Sequence, residues 1–241
     1  LNFLFYIMNR CIVFANSINE STEYKEDTQE EWRGKWELPI MWYDVIGECR
    51  TLSDKKVKRA LNLAMTTWDL EIPIKFKPVW FTRRNQPKEI PNITIDFKSS
   101  EEEHYFKDRP SVLAFAYFPC QGEVSGKVVF NNDYIWSTNG KGVKGSKALE
   151  NGWLEQANPN ASYKTFNIIH VLIHELGHSL GLRHDAHDDT SDVMDAYYSG
   201  KLALSSWDIL RIRQKYGIRV WKKWHWYDRV KRVIESAKLR L

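Results

Sequence analysis

His174-Glu-Leu-Gly-His178-Ser-Leu-Gly-Leu-Arg-His184 is the stretch from which the fold can be read. His174 and His178 are four residues apart, so on a helix their imidazoles share one face, one turn apart. That spacing suits two nitrogen ligands of one zinc ion. Glu175 follows the first His, where its carboxylate can reach a metal-bound water without ligating the metal. Gly181 lets the backbone turn and end the helix, and the chain can then bring His184 round as a third ligand. Three His leave one open position for water, the catalytic arrangement rather than the closed structural one. Zinc would lower the pKa of that water and polarise a scissile carbonyl, with Glu175 as general base. The plainer reading is a set of core histidines that merely satisfy hydrogen bonds. Against it, five fixed positions, three of them His, recur by chance on the order of once in ten million starts.

Working outward, Phe166 to Ser179 reads as the helix that carries the motif, and Ser205 or Ser206 caps another running to Tyr216, with Gly217 at its end. Upstream, Ser53 caps a helix to about Asp69, with Val57, Ala60, Leu61, Ala64, Met65 and Trp68 at spacings of three and four. Strands are predicted over Leu38–Ile46, Lys75–Trp80, Ile93–Phe97, Val112–Phe118 and Lys127–Phe130. Residues 137–164 read as a long exposed loop rich in Gly, Asn, Ser and Lys. Strands first and helices mostly later suggest an α+β domain. The 241 residues, 43% hydrophobic and 27% charged, suffice for one domain with short extensions and argue against wholesale disorder. Three Cys exclude a disulfide-dense miniprotein.

These residues resemble the metzincins, zinc proteases in which HExxHxxGxxH is followed by a turn containing Met. Met194, in Asp192-Val-Met-Asp-Ala-Tyr-Tyr198, matches that turn. Within the metzincins the chain resembles a matrixin catalytic domain over residues 31–217. Lys35-Trp36, Leu113-Ala-Phe-Ala-Tyr-Phe-Pro119, Gly126-Lys-Val-Val-Phe130, Trp136 and the segment 204–217 carry the likeness. The resemblance implies a five-stranded twisted mixed sheet with three main helices and the catalytic zinc in a cleft. It implies protein or peptide substrates paired along the backbone of Leu113, Ala114 and Ala116, with Tyr198 in the wall of the specificity pocket. His170, one turn before His174, falls where the family sets the depth of that pocket. A His there narrows the pocket or makes it polar, or is a bystander on the same face.

The departures carry their own expectations. Phe115 and Val129 stand where the family's second, structural zinc has His, with His104 and Asp108 as remnants, so that site is expected to be absent. The acidic cluster for structural calcium is altered to Asn131-Asn132-Asp133, so Ca2+ dependence is expected to be weak or nil. In the last helix Trp207 replaces one Asp of the usual pair and leaves Asp208. No zinc-blocking Cys occurs in 16–30 and no hemopexin-like domain fits, so control is expected to come from elsewhere. Asp185 after the third His is an adamalysin feature and leaves that subfamily as an alternative. His187, Asp188, Asp189 and Asp192 are read as a solvated acidic loop ahead of a cation site.

Residues 1–15 (LNFLFYIMNRCIVFA) read as a secretory signal peptide, with an ordinary strand or helix as the alternative. Secretion would leave Cys49 and Cys120 free to pair, if their Cα atoms are close enough. Residues 16–30 read as an acidic linker. The net charge of +4 is unevenly placed. Residues 218–241 alone are +6, with eight Lys/Arg against Asp228 and Glu235. This gives no reason to expect specific nucleic-acid binding. The tail's apolar residues recur at helical spacing. It reads either as a helix packed back on the domain or as an adhesive for an anionic glycan or lipid surface. A secreted monomeric zinc endopeptidase is the expectation; a weakly active binding module that uses cleft and tail is the alternative.

Overall fold

The computed structural model describes residues 34–81, 89–139, 165–184 and 192–220, with the backbone of a strand at 10–14. Strand β1 is Arg10–Phe14 and β2 is Ile40–Val45. In β2 the period of two turns Met41 and Tyr43 inward. Helix α1, Asp54–Asp69, begins at Ser53, whose side chain makes no cap bond. It buries Val57, Ala60, Leu61, Ala64, Met65 and Trp68, the face read from sequence. Strand β3 (Lys75–Pro78) ends earlier than expected, because Val79–Phe81 turns as a 3-10 helix. Next come β4 (Ile93–Lys98), a short helix α2 (His104–Asp108), β5 (Val112–Tyr117) and β6 (Lys127–Asn131). Two strands of three residues follow, β7 (Ile135–Ser137) and β8 (Thr165–Asn167). Helices α3 (Ile168–Ser179) and α4 (Ser206–Tyr216) complete the described chain.

Five of these strands make a mixed sheet in the order β5-β6-β4-β2-β3, with β1 added outside β5. All pairs among β3, β2, β4 and β6 are parallel, whereas β5 runs antiparallel to β6. Helices α1 and α3 pack against each other in one core with the sheet. Strand β5 divides its side chains between two clusters. Leu113, Ala114 and Ala116 join the main core, while Phe115 and Tyr117 pack with Phe106, Val112 and Val129. Alanine at 114 and 116 leaves the room that α3 occupies.

The motif helix starts two residues later than predicted, because Thr165–Asn167 pairs with β7 and the Asn167 side chain then caps the helix at the N–H of Ile169. Among the described residues no helix is long and apolar enough to cross a membrane. The 16–30 linker, residues 140–164 of the predicted loop, Asp185 with the 187–189 acidic loop, and the tail from Trp221 lie outside the described residues. Cys49 and Cys120 are both free thiols.

Candidate metal centre

Helix α3 is buried on every side, and His174, Glu175 and His178 are fully buried on it. The helix ends through Gly181, whose φ of 91° is left-handed. The turn folds the chain back, so that the N–H of Leu182 bonds to Gly177 O at 2.9 Å and that of Gly181 to His178 O at 2.7 Å. It also brings Leu182 O to 2.7 Å from His178 Nδ1. His184 then meets the helix ligands. From α4, Arg211 grips the neighbouring carbonyl of Arg183 at 2.7 Å.

The partners of the outer ring nitrogens decide what this cluster can hold. His174 Nδ1 lies 2.7 Å from Val193 O, as His178 Nδ1 lies from Leu182 O. A carbonyl only accepts, so both rings carry their proton on Nδ1 and present a bare Nε2 lone pair. Those two lone pairs are 2.8 Å apart, and His184 Nε2 is 3.2 Å from that of His174. Two acceptors at 2.8 Å repel, and a cation between them removes the conflict. Nitrogens around a tetrahedral zinc stand about 3.3 Å apart, given Zn–N bonds of about 2.0–2.1 Å. The three rings therefore fit zinc with a slight expansion. Burial first, then neighbouring imidazoles, holds His174 and His178 well below the usual His range. They are neutral, the form that ligates metal.

Both carboxylate oxygens of Glu175 are buried, with no hydrogen-bond partner among the described residues. Burial pushes this carboxyl well above the usual carboxylate range. A proton-accepting group left unpaired beside a candidate metal site is the arrangement a general base requires.

Met194 is fully buried, its side chain against Gly177 of α3. Its neighbour Val193 works in both directions: its carbonyl takes the His174 proton, and its N–H donates to Asp208 Oδ2 at 2.9 Å. Asp208 also completes a capping box with Ser205 at the start of α4. The box can be read in the sequence; the bond to Val193 cannot. In the sequence Trp36 is a motif match only. Here its Nε1 donates to Ser179 O at 2.8 Å, and its N–H donates to the Tyr216 hydroxyl, which donates to Leu180 O. Trp36 and Tyr216, 180 residues apart, thus clamp the end of α3.

The expected substrate residues fall into two groups. Leu113, Ala114 and Ala116 lie on β5, and Phe118 just beyond packs edge-on against the His178 ring at 5.7 Å. The outer edge of β5 is paired with β1, Cys11 opposite Ala116 and Val13 opposite Ala114. His170 and Tyr198 meet edge to face at 4.8 Å. Where a second zinc would sit, Phe115 packs against Tyr105, Phe106 and Tyr117 at ring separations of 5.3–5.8 Å. At the altered calcium loop, Asn132 bonds to Arg50 N and Glu48 O, and Asp133 faces the Arg50 guanidinium at 3.5 Å. Its side chains are committed to protein partners.

The sequence profile of the matrixin family matches residues 31–217. The chain is 31% identical to matrilysin of Felis catus over 200 residues, which are 80% of this chain and 64% of that protein. It is 29% identical to human matrilysin over 77% of this chain and 60% of that protein. Matrix metalloproteinase-16 of Homo sapiens is 26% identical over 76% of this chain and 27% of its own length. The chain thus spans less than two thirds of these relatives. With the histidine cluster, the Met-containing turn and the mixed sheet all in place, residues 31–217 belong to the matrixin family.

Proposed function

We propose that this chain is a secreted zinc-dependent endopeptidase that hydrolyses extended proteins of the matrix or cell surface. The observation that carries the reading is the cluster of three imidazoles, two buried and His184 half-buried, with the Nε2 lone pairs of His174 and His178 turned on one another, beside a Glu175 that has no hydrogen-bond partner among the described residues. His174, His178 and His184 would hold the ion. Zinc bound there supplies a water of lowered pKa and polarises the scissile carbonyl. Glu175 accepts the proton of the attacking water and returns it to the leaving amine, and its desolvated site makes it a stronger base than a solvated carboxylate. Val193 O and Leu182 O keep the ligand rings in the right tautomer throughout.

Substrate would add as a strand at the outer edge of β5, on Leu113, Ala114 and Ala116, with Tyr198 beside the pocket for the residue after the scissile bond. In this structure β1 holds that edge. Removal of residues 1–15 as a secretory leader frees it. The tail from Ile218, rich in Trp, Lys and Arg, would add affinity for an anionic glycan or lipid surface. The test is hydrolysis of a quenched matrixin-type peptide by the zinc-loaded chain. Glu175→Ala should retain the metal and lose about 10²–10⁴ in kcat. Equal turnover in the variant would remove Glu175 from the mechanism.

A further inference from the structure

Two of the three candidate ligands sit on α3, where helical geometry alone sets them side by side. His184 does not. It is reached through the turn at Gly181, and its place depends on what holds residues 182 and 183. Leu182 is tied at both ends, its N–H to Gly177 O and its carbonyl to the His178 ring. The next tie comes from another helix: Arg211 Nη2 donates to Arg183 O at 2.7 Å. Arg183 O belongs to the same planar peptide unit as the His184 nitrogen, so holding it holds the start of the ligand residue.

Arg211 shares a face of α4 with Asp208 and Lys215, at spacings of three and four. Asp208 Oδ2 accepts the N–H of Val193, whose carbonyl takes the His174 proton. The Lys215 side chain lies over Gly181, where an added Cβ would come within 2.6 Å of its Cε. One helix face therefore reaches the support of a ligand on α3, the turn, and the residue before the third ligand. Charge alone argues against an arginine here. A guanidinium beside a ligand repels a divalent cation, and a buried donor without an acceptor is costly. Arg211 Nη1 is such a donor, buried with no hydrogen-bond partner among the described residues. What the residue supplies is the bond to Arg183 O, and a charged donor makes a stronger bond than a neutral one. We infer that Arg211 is a positioning residue for the metal centre: its bond to Arg183 O holds His184 against the two ligands of α3. This rests on the three-histidine zinc site proposed above.

The test measures the zinc affinity of the metal-free full chain by competition with a chromophoric chelator, a readout free of turnover. Arg211→Met keeps an apolar stem but loses the donor and the charge. Its zinc affinity should fall about tenfold, the scale on which partners of metal-ligating groups act. Arg211→Lys, which keeps a charged donor, should recover part of that loss. Charge repulsion predicts the opposite sign, so an affinity unchanged or tighter in Arg211→Met overturns the inference. Tyr216→Phe is the control. It removes another bond from α4 to the end of α3, that to Leu180 O, on the far side of Gly181 from His184. It should lower the urea midpoint and leave zinc affinity nearly unchanged. An equal loss of affinity there would make Arg211 a general structural contact and overturn the inference. If Arg211→Met does not fold without metal, Arg211→Gln, a shorter neutral donor, takes its place under the same two outcomes. A wild-type chain that takes up no zinc defeats the three-histidine site and this inference with it, whereas equal affinities in wild type and variant defeat only this inference.

Discussion

Gly177 lies directly over Met194: a Cβ built on the glycine would come within 2.3 Å of the methionine sulfur. Glycine inside a helix costs about 1 kcal/mol relative to alanine, yet here it sits between two metal-ligand candidates. The close approach explains it. Gly177→Ala gains helix propensity but overpacks the contact, at about 1–3 kcal/mol. The expected result is a Tm lower by a few degrees, where an exposed helix would show a rise. Weaker zinc retention should accompany it, because Val193, next to Met194, holds the His174 ring. A raised Tm would show that the turn yields freely.

Glu175 is held at a cost to the fold. Its raised pKa means that burial disfavours the charged form, so this group's contribution to stability falls as pH rises above the ordinary carboxylate value. Glu175→Gln removes the ionisable group and nearly keeps the shape. In the metal-free protein at pH 7 it should raise the urea midpoint while abolishing turnover of the zinc form. A lower midpoint would mean that the carboxylate is structurally satisfied.

Acid should destabilise the metal-free protein from about pH 6.5 downward. His170 titrates near 6.5 unfolded and near 4 folded. Between those values the unfolded chain binds a proton that the folded chain refuses, so stability falls by about 1.4 kcal/mol per pH unit lost. His174 and His178, also depressed, act in the same direction. Unfolding free energies measured from pH 6.0 to 4.5 should show a slope in His170→Leu shallower by about one proton. Equal slopes would mean that the ring charges inside the fold.

Strand β1 holds the edge of β5 in the antiparallel sense, with a register shift between Val13 and Phe14. Edge strands that are open recruit extended peptides. Removal of residues 1–15 should therefore lower KM for a peptide substrate with little change in kcat. A synthetic peptide of residues 9–15 should restore the higher KM competitively. Identical kinetics with and without the segment would show that the pairing does not compete with substrate.

Much of this molecule can be read from its sequence, and the rest is hidden for identifiable reasons. The metal cluster is legible because helical spacing alone aligns His174 and His178, and Gly181 announces the turn. The apolar face of α1 is legible from its period. Strands β7 and β8 are not, because three residues carry no period and Thr165–Asn167 runs straight into α3. The braces around the cluster are long-range: Asp208 on Val193, Trp36 on Ser179, Trp68 Nε1 on Ile173 O at 3.0 Å. No local pattern encodes such partners. Arg50 opposite Asp133 escapes for the same reason, since 83 residues separate them in the chain.

Titrating zinc into the metal-free chain while following hydrolysis of a quenched peptide tests for one catalytic zinc on His174, His178 and His184. Turnover should rise in proportion to zinc, level off at one equivalent, and be absent from His178→Ala at every concentration. A plateau at two equivalents would contradict the single site, and no turnover at any zinc level would contradict the enzyme.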